Sequence, residues 1–221
     1  MTNDKRKQLS GFMEGFKRWM GAAGDLVALN LLMLLTFLPI ITAGAGIVAG
    51  YTCLLRVVRG QGEGLPIRSF FQAFAVSFKK TLPVWLLVLG CFCLLGLDFY
   101  FAVYVSQPVQ RTFMVLAIVL AVLAACVAEW LFPLMARFEN TRAAHLKNAA
   151  LMAVARFPKT LLALVLTVGW WLVPLCISDA FLYLGWVWLA FGLSLPMYVT
   201  AYLFRRELQC QYEPPEDADE N

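Results

Sequence analysis

The chain has 221 residues, of which 61% are hydrophobic and 14% charged, and its net charge is +4 at pH 7. A soluble domain carries roughly 25% charged residues, so a water-soluble fold of this length has too little polar side chain to cover its apolar content. The expected class is all-α: a polytopic helical membrane protein whose first partner is the lipid bilayer. Nucleic acid is excluded as a partner, because the basic clusters flank apolar runs and are explained by topology.

Residues 1–24 form a basic N-terminus carrying Lys5, Arg6, Lys7, Lys17 and Arg18. Phe12, Phe16, Trp19 and Met20 share one helical face, which predicts a short interfacial helix. The apolar run from Leu26, followed by Ala43-Gly44-Ala45, imitates a signal peptide with a small-residue cleavage site. Asn30 and Pro39 interrupt that run and apolar sequence continues past it, so cleavage is not expected.

Residues 25–59 form a first hairpin. The run is too long for one span of ~20 residues and short for two. Basic residues lie at both its ends, with Arg56 and Arg59 closing it. The positive-inside rule therefore puts both ends in the cytoplasm. Two crossings, at Trp19–Leu38 and Thr42–Val58, satisfy that rule, and so does a re-entrant hairpin. Gly46-x-x-x-Gly50 and Ala45-x-x-x-Ala49 allow the second helix close approach to a neighbour.

From Pro66 to Gly90 the sequence reads PIRSFFQAFAVSFKKTLPVWLLVLG. Ile67, Phe70, Phe71, Phe74 and Phe78 fall on one helical face, with Arg68, Lys79 and Lys80 around it. This predicts an amphipathic helix over 67–79 lying in the membrane surface, a basic elbow, and a span over 82–105. Candidate interfacial contacts are Arg68, Phe70, Phe71, Phe74, Phe78, Lys79 and Lys80. Further spans are expected at 112–136, 160–177 and 181–204, with a helix-like stretch in the basic loop before the third of these four spans. The tail, 208–221, is acidic and reads as disordered.

The layout is thus about six membrane-embedded helices in three in-out-in hairpins, with interfacial helices and both termini cytoplasmic. Residues 1–207 form one membrane domain. Within it, Phe78-Lys79-Lys80-Thr81-Leu82 is echoed by Phe157-Pro158-Lys159-Thr160-Leu161, marking 66–140 and 141–207 as possible tandem units in the same sense.

Asp25-Leu26, Leu29-Asn30-Leu31-Leu32, Leu38-Pro39-Ile40, Thr42-x-Gly44-Ala45, Tyr51, Arg56, Arg59, Arg68-Ser69-Phe70, Phe78-Lys79, Trp85 and Asp98 resemble the YesL family of small bacterial membrane proteins. The resemblance is strong over 12–105 and loose beyond. It departs from the family at Ser77 and in the glycine-rich 46–50 segment. The resemblance implies a multi-pass protein of the bacterial cell membrane, often found alongside carbohydrate-uptake components. It carries over no catalytic or binding residues.

Ionisable residues inside a bilayer are candidates by default. Glu129 is the deepest, and reads either as a proton or cation site or as a structural carboxyl that is neutral or paired. Asp98 and Asp179 lie near the outer ends of spans, as mouth-lining acids or ordinary interfacial residues. Asp25 and Asn30 either line a cavity or fix a helix contact. Trp85, Trp130, Trp170, Trp171, Trp186 and Trp188 could stack on sugar rings, but packing and belt roles are simpler. Six cysteines without C-x-x-C spacing and a single histidine, His145, give no metal site. No cofactor or enzyme motif is visible. The expected function is an accessory or partner of carbohydrate transporter subunits. A small-solute permease and a structural or signalling adaptor are the alternatives.

Overall fold

The computed structural model describes residues 21, 23–59, 67–104, 110–176 and 180–209. Among these there are helices and short connections, and no strand. The helices are α1 (Ala23–Phe37), then a 3-10 turn (Ile40–Thr42), α2 (Ala43–Val58), α3 (Ile67–Tyr104), α4 (Gln110–Arg137), α5 (Arg142–Ala155), α6 (Phe157–Cys176), α7 (Ala180–Phe191), α8 (Ser194–Leu203) and α9 (Arg205–Gln209). Four are long and apolar enough to cross a membrane: Ile40–Val58, Ile67–Phe101, Thr112–Arg137 and Phe157–Pro174. The α7–α8 pair makes a fifth if counted as one broken span, while α1 is shorter than a span. The expected interfacial helix before residue 21 and the acidic tail lie outside the described residues.

Helix α2 is the centre of the bundle. It packs against α3, α4 and α8, and most of its residues are buried. Small side chains make that possible, since apolar surface alone does not drive helices together in lipid. A Cβ on Gly46 would fall on the Thr36 side chain, and one on Gly50 would fall on the Met33 sulfur. The Gly46-x-x-x-Gly50 stripe thus seats α1 directly on α2. Gly44 faces α3, where a Cβ would meet the Trp85 ring at 2.5 Å.

Helix α3 differs from expectation. The basic elbow is absent: residues 67–104 form one helix that passes through Lys79 and Lys80, with Pro83 inside it. The separate in-plane helix over 67–79 is corrected accordingly. The physical reason is where the aromatic stripe goes. Phe70 is fully buried in a cluster with Leu29, Met33, Cys53 and Leu54, and Phe74 packs on the same cluster. The stripe therefore finds protein, and continuing the helix keeps it there. Phe71 remains exposed.

The last span is also not continuous. The segment expected as one helix over 181–204 bends by 54° between α7 and α8. Pro196, in the first turn of α8, has no N–H to give Gly192 in a continuous helix. By contrast, the helix-like stretch expected in the second basic loop is α5. Thr141, in extended backbone, caps it by accepting from the Ala144 N–H at 3.3 Å.

Side-chain contacts gather the basic helix ends on one face. Lys80 pairs with Glu139 at 3.0 Å, and Lys159 and Arg156 pair with Glu207 at 2.5 and 3.5 Å. Arg137 Nε donates to the Leu208 carbonyl at 3.4 Å. Lys80 of α3, the end of α4, the α5–α6 junction and α9 thus share one end of the bundle.

Candidate functional site

Asn30, a buried residue of α1, sits at the break between α7 and α8. Its Nδ2 donates to the Leu189 carbonyl at 2.6 Å, and its Oδ1 accepts from the Leu193 and Ser194 N–H groups at 2.7 and 3.0 Å. In an unbroken helix Leu193 would donate to Leu189. Asn30 replaces that bond from both sides and also caps the start of α8. This is the helix-contact reading of Asn30, realised through backbone. Asp25 is half-buried on the same helix and takes no part in these bonds.

Glu129 faces an open cavity of about 530 Å³ lined by α1, α2, α3, α4, α6 and residues at the start of α8. Leu34, Phe37, Ile47, Phe132, Leu164 and Trp171 supply much of its apolar wall, and Tyr51, Thr167 and Glu129 supply hydroxyl and carboxyl groups. The Thr167 hydroxyl lies beside the Glu129 carboxyl, and the Thr200 hydroxyl beside Tyr51. The carboxyl therefore points into the bundle, beside a hydroxyl of another helix. A chamber of this kind suits an apolar group with one hydrogen-bonding point; it offers a hydrophilic solute few partners.

The other candidates are scattered. Asp98 is half-buried near the far end of α3, away from the Glu129 cavity lining, and Asp179 lies outside the described residues. Arg68, Lys79 and Lys80 are exposed along α3. The tryptophans are mostly hydrogen-bonded structural groups. Trp85 donates to the Ile40 carbonyl at 2.8 Å. Trp130 is fully buried, stacks on Phe204 at 3.7 Å and donates to the Thr160 hydroxyl at 2.8 Å. Trp186 is 77% exposed, as a residue facing lipid would be.

One site was invisible in the sequence. At the basic end, a cavity of about 650 Å³ opens between α2, α3, α4 and α5. Four cations, Arg56, Lys80, Arg137 and Arg142, line it beside a single carboxylate, Glu139. Arg59, nearby, has its guanidinium held below its ordinary range by burial and then by the adjacent Arg137 and Arg56. Read along the chain, these residues are the loop charges that any membrane protein carries inside. Only the packing of four elements brings them together. Among the described residues, no three His, Cys, Asp or Glu side chains converge as metal ligands would.

Residues 26–99 match a family described as "Protein of unknown function, DUF624". The matched stretch covers α1, the 3-10 turn, α2 and most of α3. It includes Asn30, the Gly46–Gly50 stripe and the α3 wall of the basic cavity, but not Glu129. No curated protein and no solved structure matches the chain.

Proposed function

We propose that this protein is a multi-pass accessory of carbohydrate uptake in a bacterial cell membrane and a member of the YesL family. The observation that carries the accessory reading over a permease is the use of its intramembrane polar groups. Asn30, Trp85, Trp130, Thr160, Trp170 and Trp188 all hydrogen-bond backbone or one another. A permease keeps such groups free at the midplane for its solute. The family context supplies the carbohydrate element, and the DUF624 match covers most of the resembling residues. Affinity purification from native membrane tests this: co-purifying transporter subunits, with no solute flux by the pure protein in liposomes, is the expected result. Flux by the pure protein selects the permease, and stable partners unrelated to transport select the adaptor.

The proposed topology has six membrane-embedded helices: four crossings by α3, α4, α6 and the α7–α8 pair, and a re-entrant first hairpin. Gly44 meets Trp85 and Cys53 meets Ser69, so α2 runs antiparallel to α3. The tip of the α1–α2 hairpin therefore reaches only Trp85, leaving 19 residues, or ~28 Å of helix, before Tyr104. Yet that tip is apolar and exposed, with Leu38 at 78% and Ile40 at 63%. Its backbone is satisfied from within, by Trp85 on Ile40 and by Thr42 on Thr36 and Pro39. Lipid demands that. The tip therefore rests within the bilayer, short of the outer end of α3, and both termini are cytoplasmic. A membrane-impermeant thiol reagent should leave Ile41→Cys unlabelled from either side; labelling from outside would establish a full crossing.

A further inference from the structure

The basic cavity between α2, α3, α4 and α5 contains a group that the fold itself does not explain. Thr81 is 1% exposed and lines this cavity, and its Oγ1 has no hydrogen-bond partner among the described residues. An unpaired buried hydroxyl is destabilising, so it marks a place where a partner is missing. Around it are the cations Arg56, Lys80, Arg137 and Arg142, with Glu139 drawn to the rim by Lys80 at 3.0 Å. The opening turn of α5 also points here, since Asn140, Thr141 and Arg142 line the wall. Helix α5 is 14 residues long, and its first N–H groups add positive potential at that wall. His145 is 5% exposed and completes the lining. Arg56, Lys80 and Arg142 stand at the open mouth of this cavity, and its wall also holds hydroxyl and amide donors, Ser77 and Gln72 among them.

We infer that this cavity binds a phosphate-bearing anion, held by Arg56 and Arg142, with the Thr81 hydroxyl as a buried donor. Arginine guanidinium groups bind phosphate oxygens in pairs of parallel bonds, and a phosphate group has acceptors enough for a hydroxyl and helix N–H groups as well. The site lies beside Lys80 on α3, at the basic end of the bundle. Either a lipid headgroup or a soluble phosphate ester can present that chemistry. The inference stands apart from the carbohydrate reading, because it rests on this cavity alone.

The test uses the full chain in nanodiscs of phosphatidylcholine. In one arm, inorganic phosphate is titrated calorimetrically at constant ionic strength. In the other, the discs contain phosphatidic acid, and lipid retained on the protein is read by native mass spectrometry. Arg142→Gln should weaken the bound species about tenfold or more, and Thr81→Val about fivefold, as loss of charge-assisted and neutral hydrogen bonds implies. Lys147→Gln, exposed on α5 outside the cavity, should change nothing. Saturable phosphate binding with this pattern supports a soluble ligand, and retained phosphatidic acid with this pattern supports a lipid. Thr81→Val keeps the side-chain shape and Arg56→Gln is a second exposed charge, so a misfolded Arg142→Gln leaves both as tests. Absence of binding in both arms would overturn the inference, as would equal losses for Lys147→Gln and Arg142→Gln.

Discussion

The indoles of Trp170 and Trp188 hydrogen-bond the two carbonyls that prolines leave free in the last hairpin. Trp188 Nε1 donates to the Trp170 carbonyl at 3.3 Å, and Trp170 Nε1 donates to the Gly192 carbonyl at 3.1 Å. Pro174 and Pro196 stand four residues after those two carbonyls, so neither carbonyl can receive its helical N–H. Each indole supplies what a proline removed. The rings lie 5.3 Å apart, which ties α6 to the α7–α8 break. Trp170→Phe should therefore destabilise the bundle by about 1 kcal/mol, the usual scale of such bonds in membranes. Trp188→Phe should do the same, and the double variant should cost less than the sum. Unfolding in detergent of graded denaturing strength measures all three.

Asn30→Leu should be more damaging. It leaves the Leu189 carbonyl and the Leu193 and Ser194 N–H groups without their partner. At about 1–3 kcal/mol for each buried group left unpaired, the loss should exceed that of either tryptophan variant. Asn30→Asp keeps the acceptor and loses the donor, so it should fall between. An Asn30→Leu protein as stable as the native one would remove the clamp from the account.

Gly46→Leu should part α1 from α2, because even a Cβ there falls on Thr36. The same change at Gly90, where a Cβ meets nothing within 4 Å, should be tolerated. Cross-linking between cysteines placed at positions 33 and 50 would report the separation directly, with the cross-link lost in Gly46→Leu and kept in Gly90→Leu.

How much of this was legible beforehand depends on whether the cause was local. The Gly46-x-x-x-Gly50 stripe was legible, since small residues at helical spacing mean close approach whatever the partner. Asn30 was legible as a polar group needing partners, but its partner lies more than 150 residues away in backbone freed by a break. The aromatic stripe on α3 misled, because a face that suits a membrane surface also suits a buried helix. Phe70 distinguishes the two only once α2 is in place. The proline–tryptophan exchange needs two helices side by side before either indole has a carbonyl to find. The basic cavity draws on four elements, and each of its charges alone has a sufficient topological explanation.

His145 makes stability depend on pH. Its imidazole is held below its ordinary value of 6.5 by burial and then by the Lys80 charge, with Arg142 and Glu139 also lining the space it borders. A lowered histidine binds fewer protons folded than unfolded, so stability rises with pH across the window below 6.5. The contribution is complete above 6.5 and shrinks as the solution is acidified towards the folded value. His145→Gln should flatten melting temperature against pH over that acidic range, and a slope identical to that of the native protein would assign the dependence elsewhere.

Glu129 separates a structural carboxyl from a working one. It faces the open cavity that Tyr51 and Trp171 also line, and lies beside the Thr167 hydroxyl. In lipid a carboxyl must be neutral, paired or facing a cavity, and the Thr167 contact together with the cavity meets that demand without any ion. Glu129→Gln preserves shape and hydrogen bonding, so it should change unfolding by less than about 1 kcal/mol and leave any uptake phenotype intact. Glu129→Leu should loosen the bundle, because the branched side chain must repack against Phe132 and Trp171 beside the Thr167 hydroxyl. Unfolding measurements and an uptake assay in cells lacking the native gene read the two variants side by side. Uptake abolished by Glu129→Gln with the fold preserved would make Glu129 a proton or cation site, and would put the permease reading ahead of the accessory one.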